Sequence, residues 1–152
     1  MMRPYLDKTA PDAWAAAGAY SQAIAKSTEA LGLLATEAEL IKVRASQLNG
    51  CAFCLDLHSR AARAAGVTQQ QLDVLAAWRE TALFSEREKA ALAVSEAATL
   101  LPVSEDAHAD LAGARGVLGD ETFVAAEWVA ATINMFNRIS ILSEHPVRPR
   151  AE

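Results

Sequence analysis

The sequence has little that builds strands and little that carries chemistry. Aromatic residues are 6% of its 152 positions, glycines number only 7 and prolines only 5. β-branched residues are modest in number, while alanine is very common among the 52% of apolar residues. Such a balance favours helices. No stretch alternates apolar and polar residues long enough to read as a strand. No run of Lys or Arg exceeds two residues and the net charge is −5, which excludes the clustered basic face that nucleic acid demands. No apolar run approaches the length of a membrane span, and the opening MMRPYLDKTAPDAW has no apolar signal-peptide core. Internal repeats and long linkers are absent too. A single all-α domain over residues 1–152 is expected, with cytoplasmic localisation and neither a nucleic acid nor a membrane as partner.

The punctuation that is present is helix punctuation. Pro11 and Asp12 open an alanine-rich segment to about Lys26. Thr36 followed by Glu39 has the spacing of a capping box ahead of LIKVRASQL. Asn49-Gly50 breaks that pattern, and a helix from about Cys51 stops at Gly66. Thr68 caps QQQLDVLAAW. Ser85 and Glu88 repeat the box before a helix that Pro102 ends. Ser104 caps a short helix to about Ala114, with Gly116 and Gly119 in the following turn, and Asp120 caps the longest helix, roughly 121–143. About six helices are expected, with a flexible or extended tail over about 145–152. In the last helix Glu127, Asn134, Asn137 and Arg138 fall on one stripe and apolar side chains cover most of the rest. A helix of that kind is buried, here between subunits as well as within one, and the polar stripe reads as a buried network at a subunit contact.

Only two cysteines occur, and they stand as Cys51-x-x-Cys54 with His58 four residues on. If Cys51 opens a helix, all three side chains project from one face near its N-terminus. The helix dipole and free N–H groups there favour a thiolate, His58 can take its proton, and a second sulfur three residues away suits thiol–disulfide exchange. Two other readings stay open. Zinc could take both sulfurs and His58, with Glu39, His108 or His145 as fourth ligand, although no second C-x-x-C or paired histidine spacing accompanies them. The cysteines could also be small core residues beside a satisfied histidine. A c-type haem site needs histidine directly after the second cysteine, where Leu55 stands. His108 and His145 have no partners in spacing and read as ordinary surface or interface residues. Trp14, Trp78 and Trp128 read as packing.

The stretch ELIKVRASQLNGCAFCLDLHSRAARAAG, residues 39–66, resembles the carboxymuconolactone decarboxylase/AhpD-like family (alkylhydroperoxidase D core): Glu39, eleven residues, then Gly50-adjacent Cys51-x-x-Cys54, three residues and His58. The late segment TINMFNRIS is similar to the family's I-N-x-x-N-R helix. The resemblance covers about a hundred residues. It implies an all-helical AhpD-like fold assembling as a homo-oligomer, a trimer or hexamer, that reduces hydroperoxides without metal or bound cofactor. It implies Cys54 as the peroxidatic thiolate, Cys51 as the resolving thiol, His58 as the proton acceptor and Glu39 as the relay behind it, with a dithiol or lipoyl-type reductant restoring the pair. A departure accompanies it: AhpD carries a histidine directly before the second cysteine, and Phe53 stands there in this chain. The decarboxylases that name the family lack the C-x-x-C. A dithiol–disulfide oxidoreductase acting on a protein or lipoyl partner, and a redox-sensing oligomer without turnover, are the alternatives to a peroxidase. Glu39 has a rival role as the acid of a capping box on Thr36.

Overall fold

A computed structural model describes residues 3–150. It contains helices α1 (Leu6–Thr9), α2 (Pro11–Ala30), α3 (Ala35–Asn49), α4 (Ala52–Ala65), α5 (Gln69–Val74), α6 (Glu86–Thr99), α7 (Glu105–Leu118) and α8 (Asp120–Ser143), with a 3-10 segment at Leu75–Glu80 between α5 and α6. No strand occurs among the described residues. No helix among them is long and apolar enough to cross a membrane.

Helices α3, α6 and α8 meet at the centre. Ile41, Val94, Ala125 and Val129 join one core cluster with Leu33 and Leu118. Leu40, Val43, Leu75, Trp78 and Leu92 form the other, on the opposite side of α3. Leu40, Ile41, Leu75 and Leu92 have no exposed surface, and burying a side chain of that size contributes about 1.5–3 kcal/mol. Much of α6 is alanine on its buried faces, Ala90, Ala91, Ala93 and Ala97, which brings neighbouring backbones close. By contrast α2 rests chiefly on α8. A deep cavity is left along its inner side.

Several helix starts differ from the sequence reading, each for a local reason. The box on Thr36 is not formed. Helix α3 starts at Ala35, and the backbone N–H of Leu34 donates to Oε2 of Glu37 at 2.9 Å. Glu37 is 1% exposed and also accepts from Arg87 at Nε (2.7 Å) and Nη2 (3.0 Å). That tertiary ion pair, fifty residues away in sequence, decides which acid caps the helix. Glu39 lies about 200° further round the helix and is free for another task. The box on Ser85 forms as read: Ser85 Oγ accepts from the Glu88 N–H at 3.2 Å and Glu88 accepts from the Ser85 N–H at 2.8 Å. Thr68 forms the same box with Gln71. Helix α7 runs through Gly116 to Leu118, four residues beyond the expected end. Gly119, at φ +76°, makes the turn and occupies the cap position of α8. Asp120 is the first residue inside that helix, held by Arg115 at 2.7 Å. Helix α2 extends to Ala30, and the short α1 was not foreseen.

The polar stripe of α8 is a network within this one chain. Asn49 Nδ2 donates to Oδ1 of both Asn134 and Asn137 at 2.9 Å. Asn137 donates to Ser46 Oγ at 3.0 Å and Asn134 to Thr99 Oγ1 at 2.9 Å. Asn134 and Asn137 are buried, while Glu127 and Arg138 are exposed. The network pins the C-terminal end of α3, immediately before the cysteines. Beside this stripe α8 leaves Val124, Trp128 and Leu142 exposed, and Ile141 within the stripe is exposed too. Trp78 is core, its Nε1 donating to Glu96, whereas Trp14 lines the cavity beside α2.

Candidate active site

The site begins where α3 ends. Gly50 adopts φ +67°, a conformation that costs a side-chain-bearing residue about 1 kcal/mol or more. Its turn lets the N–H of Cys51 reach the carbonyl of Ser46 at 3.0 Å. Cys51 thereby becomes the N-cap of α4, and its Sγ accepts from the Cys54 N–H at 3.3 Å. The two sulfurs are bonded to each other, with Cα atoms 5.3 Å apart. Both residues are buried, Cys51 at 2% and Cys54 at 4% exposure. When the pair is reduced, the same helix terminus offers an anionic sulfur its positive end.

His58 stands one turn beyond Cys54 on the same helix, within reach of the sulfur side. Its Nδ1 lies 2.9 Å from Glu39 Oε2, and the other carboxylate oxygen accepts from Lys42 Nζ at 2.6 Å. A carboxylate on Nδ1–H leaves Nε2 as the basic nitrogen. The side chains are shielded, Glu39 at 14% and His58 at 18% exposure. Burial pushes the Glu39 pKa up, but the hydrogen bond from His58 and the charge and hydrogen bond of Lys42 outweigh it and hold the carboxyl below its ordinary value. Glu39 is thus ionised at neutral pH and fixes the histidine ring. Among the described residues, no three of His, Cys, Asp and Glu gather in a way that could hold a metal ion.

Cys54, His58 and Glu39 open onto a cavity of about 1330 Å³. Its walls come from α2, α3, α4 and α8, with apolar surface from Trp14, Ile24, Leu57, Ile133 and Phe136. Residues 145–150 form the remaining side. His145 is therefore no ordinary surface residue. It is 12% exposed, its Nε2 lies 3.1 Å from Asp7 Oδ1, and its ring packs against Tyr5 (5.0 Å between centroids) and Phe53 (5.3 Å). Sequence inspection missed this because Asp7 and His145 are 138 positions apart and no periodicity joins them. His108, by contrast, is exposed.

Known proteins resemble this chain in sequence and in fold. The sequence model of the carboxymuconolactone decarboxylase family matches residues 11–97. An uncharacterised protein of Bacillus subtilis, YdfG, is 41% identical over 116 residues, which are 76% of this chain and 79% of YdfG. Uncharacterised YnjA of Escherichia coli is 34% identical over 67 residues, 44% of this chain and 37% of YnjA. The crystal structure of an Agrobacterium tumefaciens protein of unknown function, offered as a candidate antioxidant defence protein AhpD, superposes with a TM-score of 0.80 at 31% identity and covers 97% of this chain and 100% of that one.

Proposed function

The chain belongs to the carboxymuconolactone decarboxylase family, and within it we propose that it is a thiol-dependent hydroperoxide reductase of the AhpD-like kind. The observation that carries this reading is the pairing of a two-cysteine redox couple with a shielded His58–Glu39 pair on one cavity wall. In the reduced protein His58 takes the proton of Cys54. The Cys54 thiolate attacks the O–O bond of a hydroperoxide and becomes a sulfenic acid, and the departing oxygen leaves as the alcohol with the proton that His58 held. The Cys51 thiol then condenses with the sulfenic acid and releases water, giving the disulfide. A dithiol reduces it by exchange and leaves as its own disulfide. Glu39 orients His58 throughout and disperses the charge that forms on it.

Cys54 lies in the cavity wall and both cysteines have almost no exposed surface, which suits a slim dithiol such as a lipoyl-type arm better than a reductant presented on a broad protein surface. The chemistry belongs in the cytoplasm, where the pair is returned to thiols. The exposed apolar stripe of α8 suits a homo-oligomer.

A second reading is a dithiol–disulfide oxidoreductase with incidental peroxide reduction. It is favoured by Phe53, an exposed apolar ring at the position directly before the second cysteine, where AhpD carries a histidine. Hydroperoxide consumption with a dithiol donor separates the two. Many turnovers, abolished in Cys54→Ser, are expected. A single oxidation per chain with rapid disulfide exchange would favour the second reading.

A further inference from the structure

The segment after α8 is tied down at both ends across the cavity. At one end His145 pairs with Asp7 of α1, and the N–H of Leu6 donates to Ser143 Oγ at 3.0 Å. At the other, Arg150 pairs with Asp56 of α4. Pro146 and Pro149 stiffen the span between, and every residue of 145–150 lines the cavity. Between the two ties the strap carries Val147 and Arg148. Arg148 makes no ion pair among the described residues, nor does Lys8 on neighbouring α1, another lining residue. The other lining cations are engaged: Lys42 by Glu39, and Arg60 and Arg150 by Asp56.

The cavity is long and polarised. Trp14, Ser21, Ala25 and Glu29 of α2 all line it, and the fifteen steps from Trp14 to Glu29 span about 22 Å of helix. The lining carboxylate that makes no ion pair among the described residues is Glu29, at the end of α2 remote from Lys8. The strap side therefore carries the cations Arg148 and Lys8, unpaired among the described residues and both solvent-exposed, and the far end of α2 carries Glu29, with mainly apolar walls between, in a protein whose net charge is −5. A neutral apolar peroxide gains nothing from that asymmetry. A chain with an anionic head is oriented by it, head toward the strap.

We infer that the cavity recognises an amphipathic substrate with an anionic head, a long-chain fatty-acid hydroperoxide, and that Arg148 on the pinned strap is the residue that selects the carboxylate. The substrate part of this inference rests on the hydroperoxide-reductase reading. The recognition part does not, because binding can be read without turnover.

The test titrates linoleate and methyl linoleate, below micelle-forming concentrations, into the oxidised protein and follows Trp14 fluorescence or heat. The native chain is compared with Arg148→Met and Arg148→Lys. A charge-assisted contact predicts that the acid binds about tenfold to hundredfold tighter than the ester. That preference should collapse toward unity in Arg148→Met and be largely kept in Arg148→Lys. Equal affinities for acid and ester, a preference indifferent to Arg148→Met, or no binding of either would overturn the inference, the last pointing to a protein segment as occupant. Turnover of linoleate hydroperoxide is scored separately. Arg148-dependent binding of linoleate with no turnover of its hydroperoxide by the native chain would support the carboxylate site and overturn both the hydroperoxide substrate and the reductase reading.

Discussion

Replacing Glu39 tests how much of the reactivity of Cys54 is set by a residue outside its own helix. Glu39 acts on the sulfur only through His58, across a 2.9 Å contact shielded from water. A hydrogen bond to a charged group contributes about 1.5–3 kcal/mol and a neutral one about 0.5–1.5 kcal/mol. Glu39→Gln keeps an acceptor for Nδ1–H but removes the charge, so the loss is the difference, about 1–1.5 kcal/mol, or roughly tenfold in rate. Glu39→Ala removes both and should approach a hundredfold. The assay is alkylation of Cys54 in the reduced protein at neutral pH, read by mass spectrometry, because it reports thiolate availability without assuming a substrate. Peroxide turnover is then measured on the same samples. Alkylation rates within twofold of native in both variants would refute the relay, even if turnover fell. The same carboxyl also gives a pH signature. Its pKa is held below the ordinary carboxyl value, so its stabilising contribution is complete above the ordinary carboxyl range and is lost as the pH falls through the lower folded-state value. Acid unfolding of Glu39→Gln should therefore be shallower than that of the native chain in that window.

Two further predictions concern the frame around the site. Glu37→Ala removes both the N–H acceptor at the start of α3 and the partner of Arg87. Arg87 is itself partly exposed and can turn to water, so the cost should be about 2–3 kcal/mol rather than that of a fully buried pair. Denaturant unfolding should show it as a lower midpoint with an unchanged slope, and a change under 0.5 kcal/mol would mean that another group caps the helix. Gly50→Ala meets no atom within 4 Å, so its cost is backbone strain alone, about 1 kcal/mol. Because that strain sits beside Cys51, the rate of disulfide reformation should fall as well. Loss of stability without any change in that rate would place the strain elsewhere.

The parts of the site that the sequence made legible are those joined by a helical repeat or a fixed gap. Cys51, Cys54 and His58 share one helix, and their geometry follows from 3.6 residues per turn. Glu39 needed the family spacing. On local rules alone it reads as the acid of a capping box on Thr36, whereas Glu37 takes the helix start, held there by Arg87, fifty residues on. Helix ends failed in the same way. Gly116 reads as a stop, yet α7 passes through it, because the packing of Ala114 and Leu118 in the central core outweighs the roughly 1 kcal/mol that a helical glycine costs. The stripe of α8 was found by its period, but its partners Asn49, Ser46 and Thr99 lie on other helices and no period could supply them.

His145 marks the limit of that kind of reading and also shows what a cavity adds to it. Alone in sequence it has neither a spacing nor a partner. In the folded chain it is one of two imidazole–carboxylate pairs that border the same space, His58 with Glu39 and His145 with Asp7. The two pairs differ in what they hold. The first is built on two long helices that also carry the core, so it is as rigid as the core itself. The second joins the four-residue helix α1 to a strap with no regular backbone hydrogen bonding, so it is held by side-chain contacts alone: the His145–Asp7 pair with its packing on Tyr5 and Phe53, and the tie of Arg150 to Asp56. Of the two, only the tie of Arg150 to Asp56 is substantially exposed, and such pairs contribute about 0–1 kcal/mol, a range in which local opening is frequent. The cysteines and their relay therefore keep one geometry, while the strap that carries Arg148 is held firmly at its His145 end and loosely at its Arg150 end.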